Sequence, residues 1–127
     1  MTKERNFTVE QIHEDLDYND LESVDETIGD AIRGALLQGK DAVMKGEKCQ
    51  VGINATLSGL EKREDGWWAH EAPFFVADSR GMTVGSGWMK ADLWPIGEVE
   101  EKKFSLVDLD VYLKGDQVDG IKKACVL

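Results

Sequence analysis

The apolar positions change period near residue 46, and each half of the chain predicts different elements. Residues 1–46 read at helical spacing. Thr8-Val9-Glu10-Gln11 has the form of a capping box, with Thr8 as N-cap and Gln11 at the third helical position. Phe7 then staples against Ile12, and Val9, Ile12 and Leu16 make one short apolar face that closes near Asp17. Ser23-Val24-Asp25-Glu26 repeats the box and opens a longer helix. Its apolar positions are Val24, Ile28, Ala31, Ile32, Ala35, Leu36, Ala42 and Val43, close to a 3.6-residue period. Acids in its first turns and Lys40 and Lys45 toward its end suit the helix dipole, and Gly46 supplies the stop.

From Cys49 onward the period falls to two. Cys49, Val51, Ile53, Ala55 and Leu57 alternate with Gln50, Gly52, Asn54, Thr56 and Ser58, a strand with one buried face. The charged turn at 62–66 ends in Asp65-Gly66, which favours a hairpin. A second strand is expected over about 67–78, with Pro73 implying an edge position or a bulge. Ser79-Arg80-Gly81 turns the chain into a third strand, about 82–94, which Gly85 and Gly87 weaken at its start and Pro95-Ile96-Gly97 ends. Val107, Leu109, Val111 and Leu113 mark a fourth, stopped by Lys114-Gly115-Asp116, and the tail is expected to add a short turn or strand. The predicted fold is α+β: N-terminal helices, one short and one long, packed on a roughly four-stranded antiparallel sheet. It forms a single domain over 1–127, with 1–46 helical and acidic, 47–115 sheet, and 116–127 a tail.

Alternation also predicts which face each strand residue takes. In the third strand Met89, Ala91 and Leu93 are all apolar, so Trp88, Lys90, Asp92 and Trp94 face away from the helices. In the second, Glu71 marks the outward set and carries Trp67 and Phe75 with it, leaving Trp68 and Phe74 to the core. All four tryptophans lie between positions 67 and 94, although aromatics are only 8% of the chain. Several large rings on one sheet face exceed what a monomer normally leaves in water. Residues 1–22, the C-terminal tail or a second copy of the chain are the available covers.

Composition narrows the function classes. The chain has 127 residues and a net charge of −10. Residues 1–30 hold Glu4, Glu10, Glu14, Asp15, Asp17, Asp20, Glu22, Asp25, Glu26 and Asp30 against only Lys3 and Arg5. No basic stripe for direct nucleic-acid binding is visible. No apolar run suits a signal peptide or a membrane span, which points to a soluble cytoplasmic protein without membrane contact. Cys49 and Cys125 are the only cysteines, and two reduced thiols are the expectation.

No catalytic or metal-ligating constellation stands out, and no cofactor is implied. His70 and Glu71 fall on opposite strand faces and cannot act as an orienting pair; His70 reads as a satisfied core histidine. Asp108 and Asp110 share a face, as solvated strand carboxylates usually do. An enzyme is therefore unsupported. The leading expectation is a small acidic binding or inhibitory module that oligomerises with itself or binds a partner through the aromatic face. Its site residues are Trp67, Phe75, Arg80, Trp88, Lys90, Asp92 and Trp94. A first alternative is a nucleotide-like ligand, stacked on Trp88 or Trp94 with Arg80 and Lys90 near a phosphate and Gly85-Ser86-Gly87 admitting close approach. A second is an acidic nucleic-acid mimic that presents residues 4–30 to a basic partner protein.

Overall fold

The computed structural model describes residues 4–38, 42–44 and 49–125. Its strands are β1 (Glu4–Val9), β2 (Glu14–Asp17), β3 (Gln50–Ile53), β4 (Leu60–Lys62), β5 (Trp68–Ala77), β6 (Thr83–Pro95) and β7 (Lys103–Lys114). Helix α1 covers Leu21–Leu37 and helix α2 Gly115–Ala124. The strands form one seven-stranded antiparallel sheet with the path β1-β7-β6-β5-β3; β2 continues the β1 edge and β4 the β3 edge. This corrects the expected arrangement of N-terminal helices on about four strands. The strand expected from Cys49 to Ser58 ends at Ile53, and β4 is a separate strand after it. Three further elements differ.

The first is the N-terminal segment, which is strand and not a short helix. Phe7 is buried with Arg5 and Val9 half-buried, while Asn6 and Thr8 face out, a period of two. The Thr8 hydroxyl donates to Asp110 Oδ1 at 2.7 Å, so it caps nothing. Gln11 and His13 adopt φ of 58° and 56°, which no helix interior accepts. Residues 10–13 bulge opposite Val107 and Asp108, since Val9 pairs with Leu109 and Glu14 with Leu106. With Phe7, Thr8 and Val9 all favouring a pleated surface, cross-strand pairing outweighs the local capping pattern.

The second is the boundary of α1. Its N-cap is Asp20, whose carboxylate accepts from the Ser23 N–H at 3.3 Å, so Ser23 lies inside the helix. The helix ends at Leu37; the expected stop at Gly46 and the lysines at 40 and 45 lie outside the described residues. Val43 and Met44 nevertheless stay in the core, as their N–H groups donate to the Leu36 carbonyl.

The third is the tail, which forms α2. It packs on the same buried sheet face as α1, at the end where β6 begins. A Cβ on Gly85 would lie 2.5 Å from Ile121 Cγ1, and one on Gly120 would lie 2.7 Å from the Val84 carbonyl oxygen. Two glycines thus let helix and strand approach, and the Gln117 side chain locks them by accepting from the Ser86 N–H at 2.9 Å. The expected opening at Gly85 and Gly87 is filled by the protein itself. Cys125, at the end of α2, is bonded to Cys49 ahead of β3, with Cα atoms 5.9 Å apart; the two thiols are a disulfide and not free.

Strand parity otherwise holds. Met89, Ala91 and Leu93 are each 0% exposed, and the even-numbered β5 residues from His70 to Val76 are buried. Pro73 lies within a central strand rather than at an edge. It falls where β5 lacks a partner on one side, between β4, which pairs with 68–70, and β3, which pairs with 74–77. Two bulges lie elsewhere: Val84 is extra between the pairs Val76–Gly85 and Ala77–Thr83, and on β7 Asp92 pairs with Asp108 and Leu93 with Leu106, so Val107 is the extra residue. The insertion at Val107 reverses parity along β7. Phe104 and Leu106 point inward on one side of it, Leu109, Val111 and Leu113 on the other.

Candidate functional site: the outer sheet face

Both helices pack on one face of the sheet, and the opposite face carries most of the residues singled out from the sequence. Register arranges its side chains in rows across the strands. Asn6, Tyr112, Trp88 and Pro73 share one row, with Phe75 and Ser86 in the row beyond. The next row holds Thr8, Asp110, Lys90 and Glu71, and the row after it Asp108, Asp92 and Ala69. Trp94 and Ser105 complete the face.

The aromatic residues therefore form two patches and not one. Phe75, Trp88 and Tyr112 lie at one end. Trp67 and Trp94 lie at the other, edge to face with ring centroids 4.8 Å apart. Trp94 lies six residue steps along β6 from Trp88, about 20 Å at strand rise. Trp68 turns the other way and packs on Phe104 at 5.3 Å. Phe75 lies over Gly52, where a Cβ would meet its ring at 2.4 Å, so the glycine is the seat of the ring. Phe75, Trp88 and Trp94 are 45%, 44% and 46% exposed.

A charged band fills the middle. Lys90 Nζ lies 3.7 Å from Glu71 Oε1, and Asp110 is its cross-strand partner on the other side. Asp92 faces Asp108 directly across β6 and β7, and Arg63 reaches it from the turn before β5 at 3.2 Å. Partial burial raises the Asp92 carboxyl above its usual range; Arg63 and Lys90 oppose the rise, and Asp108 and Asp110 add to it. Asp108 and Asp110 also hold the N-terminal strand, since Asp108 accepts the Gln11 N–H at 3.0 Å and Asp110 the Thr8 hydroxyl.

The predicted site residues are not all brought together. Lys90 and Asp92 lie between Trp88 and Trp94, as the alternation requires. Arg80 does not join them. It sits 80% exposed in the hairpin between β5 and β6, where the Asp78 carboxylate accepts from its guanidinium at 3.0 Å. Asp78 also accepts the N–H groups of Arg80 and Met82, and these hydrogen bonds hold its carboxyl below the usual range. The guanidinium that reaches this face is that of Arg63, paired with Asp65 and Asp92. A depression of about 440 Å³ is lined by Ser58, Lys62, Arg63, Glu71, Trp88 and Lys90, among others. Within the charged turn at 62–66 nothing in the sequence marked Arg63 as the cation that reaches the sheet.

The buried face holds one polar feature of note. His70 is 0% exposed and its Nδ1 lies 2.9 Å from the Tyr18 hydroxyl, while Nε2 has no hydrogen-bond partner among the described residues. Gly59 closes over it, since a Cβ there would stand 2.9 Å from Nε2. The expected core histidine is thus only half satisfied. Burial depresses its pKa, with the Asp25 carboxylate opposing, and burial likewise raises that of Tyr18. Among the described residues no group of three or more His, Cys, Asp or Glu could hold a metal ion. No helix among them is long and apolar enough to cross a membrane.

The acids of the N-terminal segment are spread along the β1–β2 edge and the exposed side of α1, with Glu10, Glu14, Asp15, Asp17, Glu22, Glu26 and Asp30 all exposed. On an edge strand such charge opposes pairing with another chain's strand. Comparison of the chain with protein-family models, with curated proteins and with solved structures finds no match.

Proposed function

We propose that this chain is a small acidic, non-catalytic binding module whose outer sheet face is its interface. One observation carries the reading: Phe75, Trp88 and Trp94 are each close to half exposed on the face that neither helix covers. Trp and Phe are costly to leave in water and are concentrated where proteins bind one another. Two of the covers available from the sequence are already used elsewhere. Residues 4–17 extend the sheet sideways, and the tail lies on the opposite face as α2.

A photo-crosslinking residue placed at 88 or at 94 tests this in the producing cell. Adducts are expected from both positions and not from position 26 on the exposed side of α1. Equal labelling from all three, or none from 88 and 94, would refute the interface.

A nucleotide-like ligand is the second reading, favoured by the depression beside Trp88, where Lys62, Arg63 and Lys90 supply cations next to an indole. Its test is quenching of tryptophan fluorescence by ATP, abolished by Trp88→Phe and by Arg63→Ala. As to compartment, the Cys49–Cys125 bridge persists in oxidising surroundings, whereas a cytoplasmic location would keep both thiols reduced.

A further inference from the structure

The outward residues of β6 read Trp88, Lys90, Asp92, Trp94, and this order is self-complementary. Turned end for end about Ala91, the series lays tryptophan on tryptophan and lysine on aspartate. The geometry points to a second copy of this chain as the partner of the outer face. The two sheets would stack about a two-fold axis that crosses β6 at Ala91, with Trp88 against the partner's Trp94 and Lys90 against the partner's Asp92. This rests on the outer face being an interface, and adds which partner covers it and in which alignment.

Four observations support it. The axis sets the Phe75, Trp88 and Tyr112 patch against the Trp67 and Trp94 patch, so each aromatic group covers the other and neither meets the charged band. On β5 it sets Glu71 opposite the level of Ala69, beside the Arg63 guanidinium that reaches Asp92. An axis along β6 instead would oppose Lys90 to itself and Asp92 to itself, a like-charge arrangement that interfaces avoid. The area is also adequate. Five strands at their usual spacing and about ten residues of length give a face of about 24 by 33 Å, or ~800 Å² per copy, the size of a standard interface.

One pairing opposes the arrangement, since Asp108 falls opposite the partner's Asp110. Both carboxylates are hydrogen-bonded from the N-terminal segment. β7 is next to β6, so this contact lies one strand from the axis, and it sets against the two Lys90–Asp92 contacts a repulsion that the Thr8 and Gln11 donors reduce.

Sedimentation equilibrium over a concentration series tests the inference, with a thermal melt confirming that each variant folds. Wild type is expected to dimerise. Lys90→Asp and Asp92→Lys should each weaken the dimer by about 10- to 100-fold, because each turns both Lys–Asp contacts into like-charge contacts. The double exchange K90D/D92K should restore it, and mixing the two single variants should give a heterodimer. Trp88→Ala and Trp94→Ala, which leave the charges alone, should weaken the dimer as well. Single charge variants that dimerise like wild type would overturn the alignment. A wild type that stays monomeric would overturn the second copy as partner, while face-specific crosslinks from 88 and 94 would still uphold the interface. A dimer indifferent to every one of these substitutions would overturn both.

Discussion

Opening the Cys49–Cys125 bridge is expected to cost this protein a large part of its stability. The bridge joins positions 76 apart and closes a loop that contains β3 through β7 and α2. Loop-closure entropy for a ring of that length is worth about 4.5 kcal/mol at 25 °C. The unfolding entropy of a chain this size is ~0.27 kcal/mol/K, so the loss corresponds to a fall in Tm of about 17 °C. Both cysteines are buried, so removing the link leaves their packing largely unchanged if the thiols stay in place. Calorimetry of the oxidised protein against protein reduced under mild denaturation and refolded in dithiothreitol isolates the link from the side chains. The double variant C49A/C125A should melt near the reduced protein. Hydrogen exchange should show α2 released first, because one end of it is tied by the bridge and the other by Gln117. Two free thiols titrating in unfolded, unreduced protein would refute the bridge itself. A confirmed bridge whose reduction moves Tm by less than about 3 °C would refute the entropic reasoning.

Three other outcomes follow from the geometry. Phe104→Ala, at a side chain 1% exposed, should cost about 3–5 kcal/mol in denaturant unfolding, whereas Trp94→Ala at 46% exposure should stay within about 1 kcal/mol in monomeric protein. Gly120→Val should displace α2, since even a Cβ there lies 2.7 Å from the Val84 carbonyl oxygen, and amide exchange in 115–124 should rise with the rest of the sheet unaffected. His70 has a folded pKa below its unfolded value, so the unfolded chain takes up the extra proton and stability is lost as pH falls from about 6.5 toward the depressed folded value. The loss in that window is up to about 1.4 kcal/mol per pH unit and should vanish in His70→Gln; a slope that survives the substitution would assign it to another group.

What was legible in the sequence depended on how far each pattern ran. Along β5 and β6 the alternation extends over ten residues or more, and the parity of Trp68, Phe74, Trp88 and Trp94 follows from it. Over the first seventeen residues the helical pattern was short, and the strand that forms there is only six residues long. The box at Thr8 is a local signal, and its hydroxyl went to Asp110, a residue 102 positions away that no local reading could supply. The tail failed for a related reason. Val118 and Ile121 are too few to declare a helical face, and what fixes them is the space left by Gly85 on another element. Arg63 entered the site through an ion pair 29 positions long, and the bulge at Val107 appears only when β7 is laid against β6.

The split of the aromatic residues changes what the outer face can recognise. A continuous hydrophobic patch accepts partners in many orientations, because burial of apolar area carries no direction. Two patches set about 20 Å apart, with opposite charges ordered between them, accept few. In the proposed alignment, a slide by one row would set Lys90 or Asp92 against a ring, and a sideways shift by one strand would set Asp92 against Glu71, in each case losing the Lys90–Asp92 contact. The face also carries net negative charge, since Asp92, Asp108, Asp110 and Glu71 outnumber Lys90 and Arg63. On the proposed interface, binding energy would come from the rings at the two ends and alignment from the charged rows between them.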